Sequence, residues 1–212
     1  MSAVMSPVRQ GQPRSKRVWI AGAVVLGVAI AGGAVYLVTS SSSDDAAAGP
    51  TYHDTSDECT LVSAALLSRY TPGAQCKRTP TMTLNPDEVT HTPSWTTVDS
   101  VTHPVSIQVV LRMAAGSPSM YSRAQSSLSD VYQPQLNESK SVEITPAELG
   151  SKVQSAAMVS GSPKAIPGRS DARIILRSGN AVVDVVVNDW NGAAASEAAA
   201  KAIAADVVAN LH

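Results

Sequence analysis

Arg173 to Val187 reads RIILRSGNAVVDVVV, two apolar runs separated by Gly179-Asn180. A two-residue connection of this type between alternating runs marks a tight β-hairpin. The turn sets the register. Leu176 faces Val183, Ile174 faces Val185 and Ala172 faces Val187, so six apolar residues share one face. The other face pairs Arg177 with Val182, Ile175 with Asp184 and Arg173 with Val186. Turn chemistry and hydrophobic pattern agree, and that agreement is what specifies a register.

Downstream, Gly192 to Leu211 is Ala-rich. Ile203, Val207 and Leu211 recur at helical spacing with Ala200 and Ala204, giving a stripe that packs across the sheet completed by the hairpin. Glu197 and Lys201 form an i,i+4 pair expected on its exposed side. Upstream, Val105, Ile107, Val109, Leu111 and Met113 alternate with Ser106, Gln108, Val110 and Arg112, as in a half-buried strand. A weaker strand, Trp95 to Val101, precedes it, with His103-Pro104 between the two.

Met120 to Tyr132 reads as a helix with Tyr121, Leu128 and Val131 as core contacts, ended by Pro134. Residues 141–159 read as two short strands or turns around Pro146 and Gly150. After the acidic start Asp57-Glu58, the residues Leu61, Ala64, Ala65 and Leu67, beside Leu66, give another helical face, stopped by Pro72-Gly73. The expected class is α+β, an antiparallel sheet packed by helices in an α/β/α sandwich-like arrangement, preceded by one transmembrane helix.

The chain has 212 residues, 44% of them apolar, with no Phe, so its core is aliphatic. Residues 1–17 hold Arg9, Arg14, Lys16 and Arg17 and no acid; the remainder holds 12 basic and 17 acidic residues, a net of −5. A mildly acidic domain has no electrostatic reason to bind nucleic acid or to grip anionic lipid.

Val18 to Val38 is 21 residues without a charge. As a helix it spans about 31 Å, close to the hydrocarbon thickness. Trp19 and Tyr36 lie near its ends, where such rings prefer the interface. The basic residues sit on one side only, so the positive-inside rule places the N-terminus in the cytoplasm. The competing reading is a signal peptide cleaved after Ala48, at Ala46-Ala47-Ala48. The apolar run is longer than a signal core and two aspartates intervene, so uncleaved anchoring is preferred. Ala23, Gly27 and Ala31 form a small-residue stripe that would let two such helices pair weakly as a homodimer, although Gly and Ala richness produces such stripes by chance. The expected organisation is a basic cytoplasmic tail (1–17), the membrane helix (18–38), a flexible linker (39–52) and one extracytoplasmic domain (53–212). That domain is long enough to bury roughly 70% of its unfolded surface.

Cys59 and Cys76 are the only cysteines. In an exported domain they imply one disulfide, closing an 18-residue loop and stabilising the fold by about 3 kcal/mol. A redox-active pair would normally need closer spacing.

The DECTL start at 57–61, a second cysteine 17 residues beyond the first, LGSKV at 149–153 and the RSGNAVVDV hairpin before an Ala-rich helix form one order of motifs. Over residues 55–211 it resembles exported actinobacterial domains of unknown function that are often lipoproteins, with a fold similar to the PsbP/Mog1-like α/β/α sandwich. The resemblance implies a non-enzymatic envelope protein with no catalytic residues. This chain departs in having a membrane helix where many relatives have a lipidated cysteine.

His53, His91, His103 and His212 match no metal-binding spacing, and there is no GxSxG, SxxK, GxGxxG or Walker A pattern. No catalytic, cofactor or metal residue is therefore expected. Asp87-Glu88 and Asp57-Glu58 are adjacent acids that do not converge. Asn137-Glu138-Ser139 matches a glycosylation sequon, as chance often does. Trp190, in NDWNG, reads first as a core plug between strand and helix, and alternatively as the rim of a ligand groove.

The function expected is a membrane-anchored, non-catalytic binding or sensing domain of the cell envelope, with an envelope protein or lipid as partner. The alternatives are a carrier of a lipid or other apolar small molecule, and an envelope hydrolase whose triad is visible only in three dimensions.

Overall fold

The computed structural model describes residues 49–53, 57–79, 88–97 and 102–212, all within the unit Asp44–His212. The segment 18–38, the stripe Ala23, Gly27 and Ala31, the Ala46-Ala47-Ala48 site and Asp87 lie outside the described residues. Among the described residues no helix is long and apolar enough to cross a membrane.

The elements in chain order are α1 (Ala64–Tyr70), β1 (Gln75–Arg78), β2 (Val89–His91), β3 (Pro93–Thr96), β4 (Ser106–Met113), α2 (Ser117–Ser127), β5 (Leu136–Val142), β6 (Ser155–Pro163), β7 (Ser170–Ser178), β8 (Ala181–Asp189) and α3 (Ala193–Asn210). The fold is α+β. Eight antiparallel strands form one sheet in the order β1-β3-β4-β8-β7-β6-β5, and β2 pairs with the far end of β4.

The β7–β8 hairpin has the register expected from its turn in all six pairs. Gly179 takes φ +55° and Asn180 does not take a positive φ, as a glycine-first hairpin turn requires. β4 alternates as expected, with Ile107, Val109, Leu111 and Met113 all buried.

One face of the sheet carries α3 and α1. There Ile174, Leu176, Val183 and Val185 pack against Ala200, Ile203, Ala204 and Val207. The small alanines let the helix lie close, and each fully buried Val or Ile contributes about 1.5–3 kcal/mol. The other face carries α2 and the turn after it, over Ile175, Val182 and Val159. The hairpin is therefore covered on both sides around Ile175 and Val182, where its second face reads in sequence as mixed.

Several expectations are corrected. The first helix begins only at Ala64, because Ser63 is extended (φ −65°, ψ 147°) and its N–H bonds Asp206 Oδ2 at 2.6 Å. Asp57 instead caps a 3-10 turn, Glu58–Thr60. Leu61 and Val62 are buried between turn and helix, whereas Ala64 and Ala65 are exposed. Val131 is 56% exposed. A π turn, Leu128–Tyr132, widens the chain after α2 so that Tyr132 packs inward in its place, beside Leu128, which is buried as expected. The 141–159 region holds the end of β5 and the start of the nine-residue β6, joined through a 3-10 turn at Pro146–Leu149.

Glu197 and Lys201 do not pair with each other. Glu197 Oε1 meets Lys140 Nζ at 2.8 Å and Ser160 Oγ at 2.6 Å, and Lys201 reaches Glu148 at 3.5 Å. The start of α3 lies over the sheet edge, where β5 and β6 supply partners that a lone helix lacks.

The chain comes into the domain at the hairpin tip. Asn180 Nδ2 donates to Tyr52 O at 3.0 Å, its Oδ1 accepts from Tyr52 N at 2.8 Å, and the Tyr52 hydroxyl meets Ser178 Oγ at 2.7 Å. Tyr52 is buried, and burial pushes its hydroxyl pKa up.

Candidate functional site

At the opposite end of β7 and β8, roughly 25–30 Å from the hairpin tip, four connections converge. They are the turn after α1, the β3–β4 connection, the β6–β7 connection and the β8–α3 connection. Between them run two adjoining depressions of about 420 and 620 Å³, both lined by His103, Val105 and Asn191.

The geometry is set locally. Asp189 ends β8 buried, and its Oδ1 accepts from Trp190 N (2.6 Å), Asn191 N (3.1 Å) and Asn191 Nδ2 (2.7 Å). This Asx-type turn bends the chain away from the sheet. Trp190 is left half-buried at the rim. Its indole N–H donates to Pro104 O at 3.1 Å, and its ring stands edge-on to His103 at 4.6 Å between centroids. Gly168 takes φ +84°, and a Cβ there would lie 3.7 Å from the indole, so the β6–β7 connection passes in contact with the ring. On the far wall the Arg69 guanidinium lies 5.2 Å from the centre of the Tyr70 ring. The β3–β4 connection is closed by Thr97 N to Val105 O and Val105 N to Thr97 Oγ1, both 3.0 Å.

Trp190 is thus a rim residue, and the core-plug reading is corrected. The core tryptophan is Trp95, 1% exposed on β3 between Cys76 and Ile107. Cys59 and Cys76 are joined, with Cα atoms 5.8 Å apart, tying the 3-10 turn to β1. Arg78 lies across the bond, its Nε 3.3 Å from Cys59 Sγ and its Nη2 2.8 Å from Asp57 Oδ1.

The histidines do not converge. His91 Nδ1 is 3.4 Å from Glu58 Oε2 beneath the disulfide-bonded turn, His103 is in the loop-end groove, and the His53 N–H bonds the His212 carbonyl. Ser160, bonded to Glu197, has no exposed surface through which a substrate would reach it. Among the described residues no group of three His, Cys, Asp or Glu side chains is placed to hold a metal. The Asn137 sequon lies on the edge strand β5 at an irregularity where Glu138 takes φ +48°.

No protein-family model matches the chain, and no curated protein matches it. One solved structure is similar: the extracellular domain of PknH from Mycobacterium tuberculosis, at 12% identity and a TM-score of 0.45, covering 75% of this chain and all of that one. That degree of likeness assigns neither family nor function.

A polar cluster lies on the α2 side of the sheet. Arg173 Nε and Nη2 meet Asp184 Oδ1 and Oδ2 at 2.9 and 2.6 Å, a bidentate pair, and the guanidinium lies 5.4 Å from the centre of the Tyr132 ring. Arg169 pairs with buried Asp171 at 2.8–2.9 Å. Burial pushes the Tyr132 hydroxyl far up, Asp171 adds to this, and Arg173 opposes it. Burial likewise raises Asp171 against the pull of Arg169. The register conceals the pair, because Arg173 faces Val186 and Asp184 faces Ile175. The contact is diagonal, two residues out of register on one face.

A further depression of about 670 Å³ lies between α2 and the β5–β6 edge, lined by short hydroxyl and aliphatic side chains with Glu143 as its one charged group. It is larger than either part of the loop-end groove but lacks aromatic and cationic groups, so the loop-end groove is the stronger candidate.

Proposed function

We propose that the chain is a membrane-anchored, extracytoplasmic, non-catalytic domain that binds a ligand in the loop-end groove. The observation that carries this reading is the Trp190 rim, an aromatic side chain held at the surface by Asp189, Pro104, His103 and Gly168 instead of being buried in the core. Preset aromatic side chains on loops over a rigid sheet are where binding energy concentrates.

Export is supported by the uncharged run 18–38, the basic residues on one side of it and the Cys59–Cys76 disulfide, which persists in an oxidising compartment. Residues 50–52 meet the domain at the hairpin tip, and the groove lies at the other end of the sheet. Packed interlayer side chains such as Ile174, Val185, Ile203 and Val207, all without exposed surface, favour a surface groove over a lipid held between the layers.

The test compares immobilised full-length chain with Trp190→Ala after exposure to an envelope extract, with bound material read by mass spectrometry. The expected result is a ligand retained by the wild type and lost by the variant, with the thermal midpoint of Trp190→Ala nearly unchanged. Trp95→Ala, in contrast, is expected to unfold the domain. Identical eluates from wild type and Trp190→Ala would refute the reading. A reporter fused after His212 that is active only inside the cell would refute the topology.

A further inference from the structure

We infer that the groove takes an acidic saccharide, with a sugar ring against Trp190 and an anionic substituent toward Arg69; the inference rests on the groove being the binding site proposed above. Three observations converge on this class.

The first is the state of Trp190. Its single donor is already satisfied by Pro104 O, so what it offers solvent is carbon surface. His103 and Gly168 hold the ring, so little side-chain freedom is lost on binding. A flat ring edged by polar groups complements a ligand with an apolar C–H face and a rim of hydroxyls.

The second is the rest of the lining. Asn191 and Thr97 are hydrogen-bonding side chains, and Asn191 is exposed. They suit a hydroxyl-rich ligand better than an aliphatic chain. The two depressions adjoin at their shared residues His103, Val105 and Asn191, and an oligomer can reach from one to the other where a compact metabolite cannot.

The third is charge. Arg69 is exposed and makes no ion pair among the described residues; its contact there is the Tyr70 ring. Among the described residues the lining holds one carboxylate, Asp189, which is buried and already accepts three N–H groups. Beyond residue 17 the chain has a net charge of −5, and on this acidic domain Arg69 is the cation that the groove's described lining offers to solvent. A guanidinium pairs well with a carboxylate or a phosphate.

The experiment uses full-length chain in nanodiscs of uncharged lipid and ligand-observed NMR titrations with four probes. These are a hyaluronan tetrasaccharide, the neutral N-acetylglucosamine tetramer, a tetraglutamate peptide and inorganic phosphate. The hyaluronan tetrasaccharide is expected to bind more tightly than the neutral tetramer. Trp190→Ala is expected to weaken both by about tenfold, while Trp190→Phe retains most of the affinity. Arg69→Gln is expected to bring the acidic tetrasaccharide to the level of the neutral one and to leave the latter unchanged. Binding of tetraglutamate or phosphate without either saccharide overturns the saccharide class, as does saccharide binding that Trp190→Ala does not weaken, or no binding by any probe. If the envelope extract still yields a Trp190-dependent ligand that is not a saccharide, the saccharide inference alone falls. If it yields none, the groove reading falls as well.

Discussion

Replacing Asp184 with Asn isolates the worth of the polar cluster under α2. Asp184 makes two charge-assisted hydrogen bonds to Arg173, at 2.9 and 2.6 Å, with side chains 14% and 21% exposed. A hydrogen bond to a charged group is worth about 1.5–3 kcal/mol, and breaking a buried ion pair costs about 3–5 kcal/mol because a charge is left uncompensated. Residual exposure lets water reach the guanidinium, so the expected cost is about 2–4 kcal/mol, below the fully buried range. For a domain of this size that lowers the thermal midpoint by about 5–15 °C. The Tyr132 ring over Arg173 offers some compensation, through a cation–π contact of about 0.5–2 kcal/mol.

The assay is urea denaturation of Asp184→Asn, and of Asp184→Leu, Arg173→Met and the double variant that joins these last two substitutions. The double variant is expected to cost less than either single one, since joint apolar replacement removes the desolvation penalty along with the pairing. A loss below about 0.5 kcal/mol for Asp184→Asn, the value of an ordinary surface change, would refute the reasoning. So would a double variant whose cost equals the sum of the singles, because that additivity means no coupling.

Joint replacement of Cys59 and Cys76 by Ser is expected to cost about 3 kcal/mol in urea midpoint terms; an unchanged midpoint, with wild type also insensitive to reductant, would show that the staple does not constrain the unfolded chain. Gly179→Ala drives a Cβ into the Pro50 carbonyl oxygen at φ +55°, so about 2 kcal/mol or more should be lost and proteolysis near residues 49–52 should accelerate. Gly192→Ala, at φ +92° and ψ 162° with nothing within 4 Å, should cost only backbone strain of about 1–3 kcal/mol and leave proteolysis near residues 49–52 unchanged; equal acceleration there in the two variants would contradict the close approach. Burial alone would raise the Glu197 pKa, but hydrogen bonds from Lys140 and Ser160 override it and hold the carboxyl below its ordinary range. Its stabilising contribution is therefore present above the ordinary carboxylate pKa and lost as pH falls through the lowered folded value, so the stability gap between wild type and Glu197→Gln should shrink on going from about pH 7 to about pH 3. A gap that stays constant would count against the pairing.

The local features were legible in the residues themselves. Gly179-Asn180 sets the β7–β8 pairing because a two-residue turn leaves one register, and the alternation of β4 names its buried face without any partner. Two cysteines allow one pairing. The first helix and Val131 went astray where local geometry is not encoded in periodicity: an extended Ser63 held by a remote aspartate, and one π turn, each rotate which side chains face inward.

By itself, then, the sequence determined the antiparallel α+β class, the hairpin register, the disulfide and the Ala-rich helix that packs on the sheet, since each depends on turn chemistry, alternation or counting along a short stretch. Only the tertiary structure decided that Glu197 turns to Lys140, that Arg173 meets Asp184 on the diagonal, and that Trp190 stands at a rim beside His103 and Gly168. Those contacts join residues from different elements, and which loops share one end of a sheet follows from strand order, a long-range property that no local spacing carries.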